Sequence, residues 1–135
     1  MKDDVNQILV TLQGANLGAA ERIRKLATLE PDWDGYRGDP PTVESIRMTA
    51  MLLLAIHRLA QGLLDDPFIS PSPDGGLGLE WGLDSGAEIV LIIPPTGTDI
   101  RYLLDEPTSS GDNIESEGVL PKDATLSGLI SRLTH

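Results

Sequence analysis

The 135-residue chain has no cysteine, two histidines, five aromatic side chains and ten basic residues against twenty-one acidic ones. Each shortage removes a class of chemistry. Without cysteine there are no disulfides, thiolate metal sites, iron–sulfur ligands or cysteine nucleophiles, which fits a reducing compartment. Two histidines leave little material for a triad or a zinc site. His57 has no orienting partner near it in sequence, and His135, the last residue, is expected to be mobile. The longest apolar run, Met51 to Ile56, is far short of the ~20 residues that span a bilayer. The start, MKDDVNQILV, carries acids where a secretory signal carries basic charge. A cytoplasmic protein without a membrane segment is expected. A formal net charge of −11 also argues against direct binding to nucleic acid or to anionic membranes, since both require cations to displace counterions.

What is present describes one folded domain, residues 1–135. Apolar residues make up 40% and charged residues 23% of the chain, close to globular averages. That length buries roughly two-thirds of the surface an unfolded chain exposes. The charge is uneven. Residues 1–58 hold eight acids and seven bases, whereas residues 59–121 hold twelve acids and the single base Arg101. An acidic second half serves solubility, or it complements a basic partner.

The periodicity predicts a helical part over residues 1–64. Val5, Ile8, Leu9 and Leu12 have helical spacing, GANLG breaks the rod, and Ile23, Leu26 and Ala27 continue a second helix that Pro31 ends. Thr42 is a good N-cap for a central helix over Val43 to Leu64, apolar along Ile46, Ala50, Leu53, Ile56, Leu59, Ala60 and Leu63. A sheet part over 67–120 follows. FIS is a short strand, Asp74-Gly75-Gly76 a tight turn, and Leu77, Leu79 and Trp81 alternate as in a half-buried strand. Ile89 to Ile93 is apolar on both faces, as a central strand is, and Ile100, Tyr102 and Leu104 face one way in the next. Glu106 to Glu117 reads as a polar, mobile loop, and GVLP adds at most a short strand. Asp123 or Thr125 caps a closing helix within 123–134, carrying Leu126, Leu129, Ile130 and Leu133. Helices first and strands next give an α+β fold: N-terminal helices packed on a three- or four-stranded antiparallel meander, with a short C-terminal helix.

The linker EPDWDGYRGDPPT, Glu30 to Thr42, holds four acids, one arginine, two aromatics and three prolines. Asp32, Asp34 and Asp39 invite a calcium or other divalent-metal site, or a carboxylate-dependent hydrolase. The D-x-D-G pattern places its glycine too early for a calcium loop, and no glutamate stands at the twelfth position. A second reading packs Trp33 and Tyr36 on the core while Pro40-Pro41 stiffens the entry to the helix. A third presents Trp33, Tyr36 and Arg37, residue types common at interface hot spots, as a rigid recognition corner. SPDGGLGLEWG is no phosphate loop, because it lacks the lysine and leads into a strand. No cofactor motif is found.

The stretches Trp33 to Ile46 (WDGYRGDPPTVESI) and Pro71 to Trp81 (PSPDGGLGLEW) resemble those of a loosely defined group of small bacterial and phage-borne proteins of uncharacterised activity. The resemblance implies a common fold and an accessory or mobile-element context, and it carries over no catalytic residue. The expected function is therefore a non-enzymatic acidic module that binds a basic protein, antitoxin-, immunity- or inhibitor-like. Trp33, Tyr36 and Arg37 anchor the contact, and Asp105, Glu106, Asp112, Glu115 and Glu117 steer it. The alternatives are the metal- or carboxylate-dependent hydrolase at Asp32, Asp34 and Asp39, and a subunit that self-assembles through an exposed sheet edge.

Overall fold

The computed structural model describes residues 3–134; His135 lies outside them. The elements run α1 (Asp3–Ala15), α2 (Leu17–Leu26), α3 (Val43–Ala60), β1 (Phe68–Pro71), β2 (Leu77–Gly82), β3 (Glu88–Ile93), β4 (Ile100–Pro107), β5 (Asn113–Leu120) and α4 (Leu126–Thr134). The fold is α+β, with a five-stranded antiparallel meander in the order β1-β2-β3-β4-β5.

Local chemistry sets the boundaries. The α1–α2 break centres on Asn16, whose extended backbone stops the first helix and whose side-chain oxygen accepts from the Ala19 N–H at 3.0 Å to start the second. Its amide nitrogen donates to Asp66, tying this corner to the connection after α3. Thr42 caps α3, accepting from the Ser45 N–H at 3.0 Å, and donates its own hydroxyl to the Pro95 carbonyl at 2.6 Å. The start of α3 is thereby fixed to the β3–β4 turn. The far end of α3 corrects the expectation of a helix to Leu64. Gln61 and Gly62 both adopt left-handed backbone, φ 51° and 83°, and the helix stops at Ala60, so Leu63 lies outside it and, like Leu59, is exposed rather than on the buried face.

The second correction concerns Glu106 to Glu117. It is not a mobile loop but most of a β-hairpin: β4 runs to Pro107, a turn closes with the Thr108 N–H donating to the Asp112 carbonyl at 2.8 Å, and β5 starts at Asn113. The sheet therefore has five strands, where three or four were expected. Thr125, the second of the two candidate caps, begins α4 by accepting from the Gly128 N–H at 3.1 Å. Asp123 instead closes the end of β5: its carboxylate accepts from the Val119 N–H, and its own N–H donates to the Val119 carbonyl, both at 2.7 Å.

All four helices lie on one side of the sheet. Ile69, Leu77, Leu79, Trp81, Ile89, Leu91, Ile93, Ile100, Tyr102 and Leu104 point to that side and are buried with Val5, Leu9, Leu12, Ile23, Ile46, Leu53 and Ile56 of the helices. Trp81 is buried, and its indole N–H donates to the Asp65 carbonyl at 2.9 Å. The two edges differ. On β1, Arg22 of α2 donates from Nε and Nη2 to the Ile69 carbonyl at 3.2 and 3.1 Å, which occupies an edge acceptor. On β5, Asp123 closes the Val119 end, accepting from the Val119 N–H.

Candidate binding surface

Two regions carry the residues singled out in the sequence, at opposite ends of the sheet. The first is the linker corner. Two of its four acids, Asp32 and Asp34, turn inward to their own loop. Asp34 Oδ1 accepts from the N–H groups of Tyr36 and Gly38 at 2.9 and 2.8 Å, and these two donors hold its carboxyl below the usual carboxylate value. Asp32 Oδ1 accepts from the Arg37 N–H at 2.7 Å, and the Asp32 N–H donates to the Gly38 carbonyl at 2.9 Å. Trp33 is half-buried, its indole N–H donating to the Asp39 carbonyl at 2.7 Å. A Cβ at residue 38 would stand 2.7 Å from the Asp34 carboxylate and would displace it from its two N–H donors. The loop is fastened to the β1–β2 turn by the Asp39 N–H donating to the Pro73 carbonyl at 2.8 Å. Tyr36, at 88% exposure, and Arg37 project into solvent, so Tyr36 does not pack on the core. Among the described residues no group of three or more His, Asp or Glu side chains is placed to hold a metal ion.

The second region is the face of the sheet that the helices leave bare. Strand register arranges it in three rows. At one end Gly82, Glu88, Asp105 and Glu115 stand side by side on β2 to β5. The middle row is Phe68, Glu80, Val90, Leu103 and Glu117, and the third is Ser70, Gly78, Ile92, Arg101 and Val119. Three carboxylates are thus aligned across three adjacent strands, their Cβ atoms about 5 Å apart. Beside them Val90, Leu103 and Ile92 form an apolar floor, with Leu103 and Ile92 each 37% exposed. A groove of about 500 Å³ crosses this surface, lined by Glu88, Val90, Leu103, Asp105, Glu115 and Glu117. Asp105 Oδ1 is buried there and has no hydrogen-bond partner among the described residues.

The sequence-derived contact set therefore separates. Asp105, Glu115 and Glu117 come together on the bare face. Asp112 is exposed in the hairpin turn. Glu106 points to the helical side and forms an ion pair with Arg132 of α4, so it holds the closing helix rather than facing the acid row. Trp33, Tyr36 and Arg37 lie beyond the opposite end of the strands, roughly 20 Å away by strand length. Sequence reasoning missed Glu80, Glu88, Val90, Ile92 and Leu103. The i, i+2 spacing of Glu115 and Glu117 was the available signal for a strand with an acidic face.

Comparison with protein-family models, curated proteins and solved structures gave no match. The functional reading rests on the surface itself.

Proposed function

We propose that this protein is a non-enzymatic, acidic binding module that covers a basic protein partner, in the manner of an antitoxin, immunity protein or inhibitor. The observation that carries this reading is the alignment of Glu88, Asp105 and Glu115 in one cross-strand row. Charge needed only for solubility is best dispersed, because like charges directly opposite one another in a sheet are destabilising. A row of three carboxylates beside an apolar floor is an unfavourable arrangement for the free protein, and cationic groups from a partner relieve it. Asp105 Oδ1, buried and without a hydrogen-bond partner among the described residues, adds to that cost. The same charge steers a basic protein toward the face before contact.

The linker corner remains a second place where a partner can touch, through the exposed Tyr36 and Arg37. The test compares the two ends. A tagged protein is used to capture partners from the source cell, alongside two folded variants, Glu88→Lys/Glu115→Lys and Trp33→Ala/Tyr36→Ala. The expected result is a basic protein retained by the wild type, released by salt, and lost by the charge-reversed variant. Retention unchanged by the charge reversal sinks the reading of the acid row, and loss in the Trp33→Ala/Tyr36→Ala variant alone moves the interface to the corner.

A further inference from the structure

The bare face has dimensions and a charge pattern, and together they define an occupant. β3, with six residues, is about 20 Å long, and neighbouring strands lie about 4.8 Å apart. An α-helix about 10 Å across covers two strands, and one of about 13 residues matches that length. Centred over β3 and β4, a helix rests on Val90, Leu103 and Ile92, with Glu80 of β2 along one flank and Glu117 of β5 along the other. Acids thus border the apolar floor on both sides and at one end.

Other occupants fit less well. A second copy of this chain, net charge −11, sets acid rows against acid rows. Anionic lipid and nucleic acid are repelled for the same reason. An extended strand added to the β5 edge meets Asp123 at Val119, and it leaves the Val90–Leu103 floor and the groove uncovered.

The geometry points to a cationic amphipathic helix of a partner protein as the segment that docks on this face, an inference that rests on the basic-partner reading above. Its apolar stripe lies on Val90, Leu103 and Ile92, and lysines or arginines on its two flanks reach Glu80 and Glu117. Its N-terminus lies over Glu88, Asp105 and Glu115, because the positive end of the helix dipole favours carboxylates. The docked helix makes a third layer on the sheet, opposite α3.

The test uses two synthetic peptides of about 14 residues, identical in composition and charge. One places leucines on a single helical face with lysines on both flanks, and the other is a shuffle with no such face. Titration at low salt, followed by amide NMR on the labelled protein, reads affinity and location together. The amphipathic peptide is expected to shift the amides of β3 to β5, to gain helicity, and to bind roughly ten-fold more tightly than the shuffle. Two protein variants separate floor from charge. Leu103→Glu removes apolar floor while adding negative charge, so helix docking predicts at least a roughly ten-fold loss, whereas plain electrostatic attraction predicts equal or tighter binding. Ile92→Glu repeats the test should Leu103→Glu fail to fold. A spin label on the peptide N-terminus should broaden Glu88 and Glu115 more than Arg101 and Val119.

Equal binding of both peptides, or undiminished binding by the folded Leu103→Glu or Ile92→Glu protein, overturns helix docking and leaves the basic-partner reading intact. Broadening centred on Arg101 and Val119 overturns the stated orientation, and with it the role of the acid row. No binding of either cationic peptide at low salt overturns both readings.

Discussion

The two faces of one sheet have been put to different uses. On the helical side Leu77, Leu79, Leu91 and Ile93 sit at no more than 1% exposure, packed against α3 and its neighbours. On the other side Phe68 is 64% exposed, Ile92 and Leu103 are partly exposed, and Glu80 and Glu117 flank Val90 and Leu103 while Ile92 stands between Gly78 and Arg101. The same strands alternate between these worlds residue by residue, because successive side chains of a strand point to opposite faces. Stability is therefore concentrated in one set of residues, and the other set is free to hold an arrangement that the fold alone does not favour.

That division is broken most directly by truncation. Leu91→Ala or Leu79→Ala is expected to lower unfolding free energy by about 2–5 kcal/mol, as deletion of a fully buried leucine does. Leu103→Ala, one residue out of phase on β4, should lower it by less than about 1.5 kcal/mol. Urea unfolding of the three proteins checks this, and equal losses would erase the distinction between the faces. A smaller effect is expected at Gly118 on the helical side. Its cross-strand partner is Tyr102, and a Cβ added at 118 would lie 2.8 Å from the tyrosine oxygen and 2.7 Å from Asp123 Cβ. Gly118→Ala should cost about 1–3 kcal/mol by overpacking, with the loss visible in thermal unfolding.

Gly118 also shows why part of the fold was hidden. The helices announced themselves by apolar spacing, and β2 by the alternation of Leu77, Leu79 and Trp81. In β5 the positions facing the helical side are Ile114, Ser116, Gly118 and Leu120, and space over Gly118 is filled by the ring of Tyr102 rather than by a side chain of β5 itself. The alternation is lost, the outward positions are acidic, and the segment read as a loop. The same blindness hid half of the candidate surface. β3 is the third of five strands, as its apolar run suggested, but Val90 and Ile92 lie on the bare face, which no element of the described residues covers. Glu88 gains its meaning only from register with Asp105 and Glu115, and register across a hairpin is a tertiary fact. Likewise, nothing in the spacing of Trp33, Tyr36 and Arg37 reveals that they end up beyond the far end of the strands from those acids.

The acid row offers a subtler way to sharpen the comparison, with an effect of opposite sign. Glu115→Lys should stabilise the free protein, by about 0.2–1 kcal/mol, because it replaces a repulsive cross-strand neighbour of Asp105 with an attractive one. Added salt should raise the unfolding midpoint of the wild type more than that of the variant, since screening relieves the same repulsion. A destabilised variant would mean that the row is not held against repulsion, and the argument for a site there would fail.

The smallest effect separates acids turned toward their own backbone from the acids of the bare face. Asp34 lies in the first group. The N–H groups of Tyr36 and Gly38 donate to its carboxylate and hold its pKa below the ordinary 3.8. The charged form is the one favoured by the fold, so its contribution is complete above the unfolded-state value. It is lost as pH falls through the lower folded-state value. The amide resonances of Tyr36 and Gly38 should therefore titrate together with a midpoint below 3.8. Asp34→Asn keeps an acceptor oxygen and abolishes that titration; Asp34→Ala removes the acceptor and should also loosen Trp33, whose indole is held at the Asp39 carbonyl across the same loop. Because Asp34 is open to solvent, global unfolding should scarcely register either change. A midpoint at or above 3.8 would show that the carboxylate is not committed to its own backbone, and would reopen the corner as a place where its acids act on something else.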